Sequence, residues 1–338
     1  MTGFHDIADL RADTQVRLPR DGAWPRSVHV FAEKDAWAIK AIKAAEAANR
    51  PLLVRGLPGT GKSQLARAVA CFTGRLFIPH VVQARSEPDD LKWQFDAVAR
   101  LGEAQALGAR HDRAPRSAPR SALNPRRFLS PGPLWWAFDY QGAKEQNARC
   151  YHPAPAPGTE VGTPERGVVL LIDEIDKADA DLPNGLLDVL GNGGFGVLYR
   201  HEPVRQDPAC RPLVVVTTNE ERDLPGAFVR RCLVLHLELP KEENAFIARL
   251  KDRGARHHPD PETSDKVRKT VAERLWALRG DAASAGVTPP GQAEYLDILR
   301  ALSGLTSAIA DPDKREAAQL EKLDHIAEFA FDKTPREP

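Results

Sequence analysis

The stretch Gly56-Leu57-Pro58-Gly59-Thr60-Gly61-Lys62-Ser63 constrains this chain more than any other. It follows a short apolar run, Pro51 to Val54, and passes straight into a helix-forming segment, which is the strand, loop and helix context that a phosphate-binding loop requires. Glycines at 56, 59 and 61 let the backbone turn with its N–H groups inward, so the loop and the following helix N-terminus form a cradle for polyphosphate oxygens. Lys62 is placed to reach the β- and γ-phosphates and the Ser63 hydroxyl to ligate magnesium. The candidate nucleotide-binding positions are therefore Gly56, Pro58, Gly59, Thr60, Gly61, Lys62, Ser63 and Gln64.

A second anchor lies at Gly167 to Lys177, where Val168-Val169-Leu170-Leu171-Ile172 precedes Asp173 and Glu174. A continuous apolar run suits a strand buried on both faces of a parallel sheet, with its acids at the C-terminal end, where ligands bind in open α/β folds. Side chains alternate along a strand, so Asp173 can face the magnesium shell while Glu174, at the turn, can act as general base on the attacking water. Leu213 to Thr218 is a third buried strand, ending at Asn219, whose amide could hydrogen-bond the water or the γ-phosphate. Arg230 and Arg231 end a short helix before a last strand, Leu233 to Leu239. They could simply favour that helix terminus, or one could serve as an arginine finger in phosphoryl transfer.

The rest of the chain is less regular. A chain of 338 residues is long enough for two domains. Lysine plus arginine equals aspartate plus glutamate at 47 each, which argues against a dominant polyanion-binding surface while allowing a local patch. Four cysteines, Cys71, Cys150, Cys210 and Cys232, stand far apart without a C-x-x-C pair, so neither a zinc site nor a disulfide framework is expected, and a reducing compartment is. No apolar run is long enough to span a membrane, and a soluble, cytoplasmic protein is expected. Residues 1 to 30 are polar without clear periodicity, with Trp24-Pro25 as a docking strand or loop, and from Phe31 to Asn49 apolar residues recur at helical spacing, which predicts an amphipathic helix before the strand at Pro51 to Val54.

Helices are expected over Ser63 to Phe72 with Gly74 as a stop, over Asp89 to Ala109, and over Leu182 to Leu190 with Gly191 at the end. Leu76 to Val82 reads as a strand, and Phe195 to Tyr199 with Pro203 to Arg205 as a β-hairpin. His111 to Arg127 mixes five arginines with three prolines, either a solvated loop or a basic surface for a substrate, partner or nucleic acid. The aromatic stretch Phe128 to Phe138 either packs on the core or grips a substrate, and His152 to Pro164 reads as a connector.

Taken together, Gly-Leu-Pro-Gly-Thr-Gly-Lys-Ser (56–63), Leu-Leu-Ile-Asp-Glu-Ile-Asp-Lys-Ala (170–178), Val-Thr-Thr-Asn-Glu-Glu-Arg (216–222) and Leu-Pro-Gly-Ala-Phe-Val-Arg-Arg-Cys (224–232) resemble the MoxR branch of the AAA+ ATPases over about residues 30–305. The resemblance implies an α/β P-loop NTPase core with a parallel sheet, followed by a small α-helical lid. The expected division is an N-terminal extension at 1–30, the nucleotide-binding domain at 31–239 with long inserts at about 85–165, and the lid with a charged C-terminal helix at 240–338. It makes Lys62 and Ser63 Walker A, Asp173 and Glu174 Walker B, Asn219 sensor 1, and Arg230 or Arg231 a finger acting on a neighbouring subunit. Tyr199 to Arg205 resembles the clade's pre-sensor-1 insertion, and its helix-2 insertion is expected within about 85–138.

By the same likeness the protein hydrolyses ATP to ADP and phosphate with Mg2+, as a hexameric ring or spiral, and remodels or activates a partner protein, often one with a von Willebrand factor A domain. The alternative is a nucleic-acid-associated AAA+ ATPase that uses the Arg-rich insert. Two departures stand out. The segment between the second strand and Walker B is longer than usual in the family. Where a sensor-2 arginine is expected the chain has Gly291, Gln292 and Ala293, which leaves Arg279 as a weak substitute.

Overall fold

A computed structural model describes residues 4–21, 24, 26–32, 36–111, 122–158, 162–284 and 288–331. The fold divides into two compact units, one of Met1–Val54 and Ser63–Leu235, the other of Arg55–Lys62 and His236–Pro338.

The first unit is built on a five-stranded sheet of β1 (Leu52–Arg55), β2 (Arg75–Val81), β3 (Thr163–Asp173), β4 (Leu213–Thr218) and β5 (Leu233–His236). Their order across the sheet is β5-β1-β4-β3-β2. Both neighbours of β3 run parallel to it. The central strands carry continuous apolar runs, Val168–Ile172 in β3 and Leu213–Val216 in β4, and Val169, Leu170, Leu171 and Ile172 are fully buried, as strands covered on both faces must be. The register pairs Val216 with Ile172 and Val81 with Asp173, so β2, β3 and β4 bring their C-terminal ends together.

Around the sheet lie α1 (Ala36–Ala48), α2 (Lys62–Thr73), α3 (Ala97–His111), α4 (Pro133–Phe138), α5 (Tyr140–Ala148), α6 (Asp181–Asn192) and α7 (Gly226–Arg231). α2 stops where expected, at Gly74 with φ +68°. The expected helix from Asp89 begins later, because the Asp96 carboxylate accepts the Ala99 N–H at 2.7 Å as an N-cap. The preceding Trp93–Phe95 pairs instead with Leu129–Pro131. α6 continues past Gly191 to Gly193, whose φ of +58° ends it. The hairpin is shorter than expected: only Gly194 and Phe195 pair with Val204 and Arg205.

The aromatic stretch is core. Phe128, Trp135, Trp136 and Phe138 are all buried. The polar N-terminal segment also has structure, an antiparallel ribbon of Thr14–Leu18 and Ser27–Phe31 that buries Val16, Leu18, Val30 and Phe31. Trp24 packs edge-on against Phe77 of β2 and under the Arg67 guanidinium of α2. Most of the Arg- and Pro-rich stretch, residues 112–121, lies outside the described residues, as do Pro25 and residues 159–161 of the connector.

The second unit contains α8 (Glu243–His257), α9 (Asp265–Ser284), α10 (Gln292–Leu305) and α11 (Pro312–Phe331). They close around Phe246, Leu250, Val271, Tyr295 and Leu299. Burial, with His258, Arg253 and Arg300 nearby, lowers the His257 pKa to about 4 from its ordinary 6.5, and burial lowers His258 as well. A group that is harder to protonate when folded binds fewer protons in the native state, so its stability is complete above 6.5 and is lost as pH falls towards 4. With partial exposure allowed for, the loss at His257 amounts to about 2 kcal/mol. The urea midpoint should fall between pH 7 and pH 5, and His257→Leu should flatten that dependence; an equal fall in the variant would exclude His257 as its source.

Candidate nucleotide site

Where β1 ends, the chain turns through Gly56, Gly59 and Gly61 at φ +150°, +75° and +94° before α2 begins at Lys62. These are angles that side chains rarely adopt. At Gly56 space is limiting as well, since a Cβ there would lie 2.4 Å from the Leu237 carbonyl oxygen. The Lys62 ammonium, on a buried side chain, donates to the carbonyls of Gly56 at 2.7 Å and Leu57 at 3.0 Å. Thr60 Oγ1 donates to Leu57 O at 2.9 Å. Pro58 is exposed at the tip of the turn, and Gln64 sits half-buried in the first turn of α2.

Next to Lys62 in sequence, Ser63 Oγ lies 2.9 Å from both oxygens of the Asp173 carboxylate. Thr217 on β4 donates to Asp173 Oδ1 and accepts the Glu174 N–H at 2.9 Å. One buried hydroxyl thus ties two consecutive acids to the neighbouring strand. Glu174 itself has φ +59° and ψ +49°, a left-handed conformation that costs a non-glycine residue about 1–3 kcal/mol and persists only where the surroundings enforce it. Three groups do so: Thr217 at its N–H, Asn219 Nδ2 donating to Oε1 at 3.2 Å, and the Lys177 ammonium at Oε2. In turn the Glu174 carboxylate holds the Lys177 ammonium above its ordinary pKa range. Asp176, nearly inaccessible to solvent, accepts the backbone N–H of Asn219 at 3.2 Å and of Glu221 at 3.0 Å, fixing the loop that presents the Asn219 amide.

Ser63, Asp173, Glu174 and Asn219 are therefore assembled at one end of the sheet. Thr217, Asp176 and Lys177, which hold them, were not singled out from the sequence; the available signal was a hydroxyl residue continuing an otherwise aliphatic strand, and an acid and a base within four residues of Asp173. Thr217→Val removes the hydroxyl at nearly constant volume and leaves the Glu174 N–H without its acceptor. It should cost about 1–3 kcal/mol in urea unfolding, with Thr217→Ser retaining most of the stability; an unchanged midpoint for Thr217→Val would refute the bridging role.

Arg230 and Arg231 are exposed on the last turn of α7. Neither guanidinium makes a hydrogen bond or ion pair among the described residues. The carbonyls at that helix end are taken instead by Arg50, which donates to Arg231 O at 2.9 Å and also to Arg230 O. Arg50 is a further residue that the sequence reading passed over. It frees the two arginine side chains from capping their own helix.

In the second unit, Arg279 donates to Pro290 O and lies over the Phe246 ring. The start of α10 abuts the phosphate-loop turn. A Cβ on Gly59 would stand 3.0 Å from Ala293 Cβ and 3.3 Å from Glu294 Oε2. The charged group that α10 brings to Gly59 is thus the Glu294 carboxylate, just beyond the Ala293 methyl, and it accepts the Gly291 N–H at 2.9 Å.

A glycine-rich loop between β1 and α2, a serine next to its lysine, and an aspartate at the end of β3 in the strand order β5-β1-β4-β3-β2 define a P-loop NTPase fold. The family model for the AAA domain, dynein-related subfamily, matches residues 51–253, more than half of the chain, and the chain belongs to that family. No curated protein sequence matches it. Among solved structures it is similar to a RuvB mutant of Thermotoga maritima, at 14% identity and a TM-score of 0.43, over 85% of this chain and 67% of that one. It is also similar to NtrX of Brucella abortus in complex with ADP, at 14% identity and 0.44, over 90% of this chain and 55% of that one. The NtrX complex with ATP gives 15% identity and 0.44, over 95% and 57% respectively. The chain thus spans little more than half the length of NtrX. Among the described residues no helix is long and apolar enough to cross a membrane.

Proposed function

We propose that this chain is an ATP-hydrolysing AAA+ ATPase of MoxR type, working in the cytoplasm as a homo-oligomer, a hexameric ring or spiral, that remodels or activates a partner protein carrying a von Willebrand factor A domain. The observation that carries the ATPase assignment is the linked pair at the end of β3: Asp173 bonded to Ser63, and Glu174 bonded to Asn219. A hydroxyl and a carboxylate side by side are the hard oxygen donors that Mg2+ takes alongside phosphates, so Ser63 and Asp173 fit that ion. When bound, Mg2+ would neutralise charge on the β- and γ-phosphates.

The chain's own residues would do the rest. Gly56, Pro58, Gly59, Thr60, Gly61 and Gln64 shape or flank the backbone cradle, and Lys62 exchanges its loop carbonyls for phosphate oxygens. Glu174 Oε1 or Oε2 takes a proton from the attacking water. Asn219, bonded to that same carboxylate, positions the water and senses the γ-phosphate. Arg230 or Arg231 of an adjacent subunit meets the charge that develops in the transition state.

The MoxR assignment rests on the four motifs at 56–63, 170–178, 216–222 and 224–232 and on their order, and the partner class rests on that assignment. The nucleic-acid alternative rested on the basic insert. Its two described arginines, Arg126 and Arg127, donate within the protein, to Tyr199 O at 3.0 Å and Ala122 O at 3.1 Å. Titration of a fluorescent ATP analogue with and without Mg2+ tests the site. Binding should be lost in Lys62→Ala and should lose its Mg2+ dependence in Asp173→Asn. Equal binding in all three proteins would overturn it.

A further inference from the structure

A second feature of the α/β unit lies at the opposite end of the strands. A cavity of about 260 Å³ opens where β1, β2 and β4 begin, and Arg50, Arg75, Arg166, Arg211, Glu46 and Cys210 are in its wall. The lining thus holds four arginines and one carboxylate residue, Glu46. Most of the arginines are already oriented by the fold. Arg50 is anchored on the carbonyls at the end of α7 through Nε and Nη2. Arg75 is anchored on the Glu46 carboxylate through Nη1 and Nη2, and Arg166 on Thr73 O through Nε at 2.9 Å with its guanidinium over Phe4. A guanidinium carries five N–H donors in a planar fork, so each of the three keeps donors beyond those its anchor uses. Fixed guanidinium forks around a concave space suit phosphate oxygens and lose little side-chain entropy on binding.

We propose that this cavity is a binding site for a small phosphorylated anion, of the size of a diphosphate or a phosphate monoester, separate from the phosphate loop. The ligand bridges Arg50, Arg75, Arg166 and Arg211. Because Arg50 also holds the carbonyls of Arg230 and Arg231, occupancy steadies the last turn of α7. Any effect on turnover would rest on the role proposed above for those two arginines, so the site is better read by binding than by hydrolysis.

The probe is inorganic pyrophosphate, titrated calorimetrically into the full chain carrying Lys62→Ala, which keeps the phosphate loop from competing for it. Binding should be salt-sensitive and should weaken about tenfold or more when Arg211→Glu is added, since one charge-assisted contact becomes a repulsion. Arg211 is exposed and makes no hydrogen bond or ion pair among the described residues, so this variant should keep its circular dichroism and urea midpoint. Two further readouts are local. Pyrophosphate should slow alkylation of Cys210, followed peptide by peptide by mass spectrometry, and should slow amide exchange over Gly226–Cys232.

Absence of binding, or equal binding with and without Arg211→Glu, would overturn the site. Binding present in the parent protein but abolished by Lys62→Ala would place the probe in the phosphate loop and overturn it too. Displacement by an oligoglutamate peptide and not by a sugar phosphate would replace the proposed ligand with an acidic segment of a protein. Failure of ATP to bind the parent protein would count against the nucleotide site alone.

Discussion

Glu174→Gln should leave ATP and Mg2+ binding nearly unchanged and lower turnover about 10²- to 10⁴-fold, the range over which a positioned general base contributes. Glutamine keeps the length of the side chain and an oxygen to accept from Asn219 Nδ2, but it cannot take a proton from water. The ion pair with Lys177 is lost at the same time. That pair is half-exposed and contributes little to stability, so the variant should unfold within about 1 kcal/mol of the parent. Steady-state phosphate release and equilibrium binding of ATP, measured on the same preparation, separate the two effects. If Glu174→Gln hydrolysed ATP at the parent rate, the proton would go elsewhere, and the left-handed backbone at Glu174 would need a purely structural explanation.

Removing the arginine proposed to act on a neighbour should cost about 10³- to 10⁵-fold, the range an arginine finger contributes. Arg230→Ala and Arg231→Ala should therefore differ sharply, one nearly inactive and the other mildly affected, while both still bind ATP. Mixing discriminates trans from cis action. Subunits lacking the finger keep an intact base, and Glu174→Gln subunits keep an intact finger, so a mixture of two inactive proteins should recover part of the parent activity. Mixed assemblies that form but stay inactive would show that the arginine works within its own subunit or not at all. Since Arg50 anchors the carbonyls beside both residues, Arg50→Ala should weaken the same activity less than loss of the finger itself.

The parts of the fold that were legible in the sequence have one property in common: the signal is local. Three glycines before a lysine and serine, and an aliphatic run ending in two acids, each state their own strand and turn because backbone conformation and burial on both faces demand those residue types. α2 and its stop at Gly74 followed in the same way. The start of α3 was misplaced because the apolar spacing from Leu91 onwards continues through residues that form a small ribbon, and only the Asp96 cap decides where helix begins. The N-terminal ribbon was missed although Val16 and Leu18 alternate with Gln15 and Arg17; in so short a stretch that alternation is hidden by the polar residues around it. The support of the candidate site was least legible. Thr217, Asp176 and Arg50 act across strands or on a distant helix, and no spacing along the chain encodes a hydroxyl that reaches the acid of the next strand; only Lys177, three residues from Glu174, acts locally. For the same reason the aromatic stretch around Trp135 left two readings open until its burial closed one of them.

The central claim is that this chain is an ATPase whose active site is completed by a neighbouring copy, and the ATP hydrolysis rate per subunit as a function of protein concentration, with size analysis in ATP, tests it most directly. The expected result is a rate that rises with concentration, levels off as a ring-sized species becomes dominant, and vanishes in Glu174→Gln at every concentration. A rate per subunit that is equally high in a strictly monomeric sample, or one that survives Glu174→Gln, would contradict it.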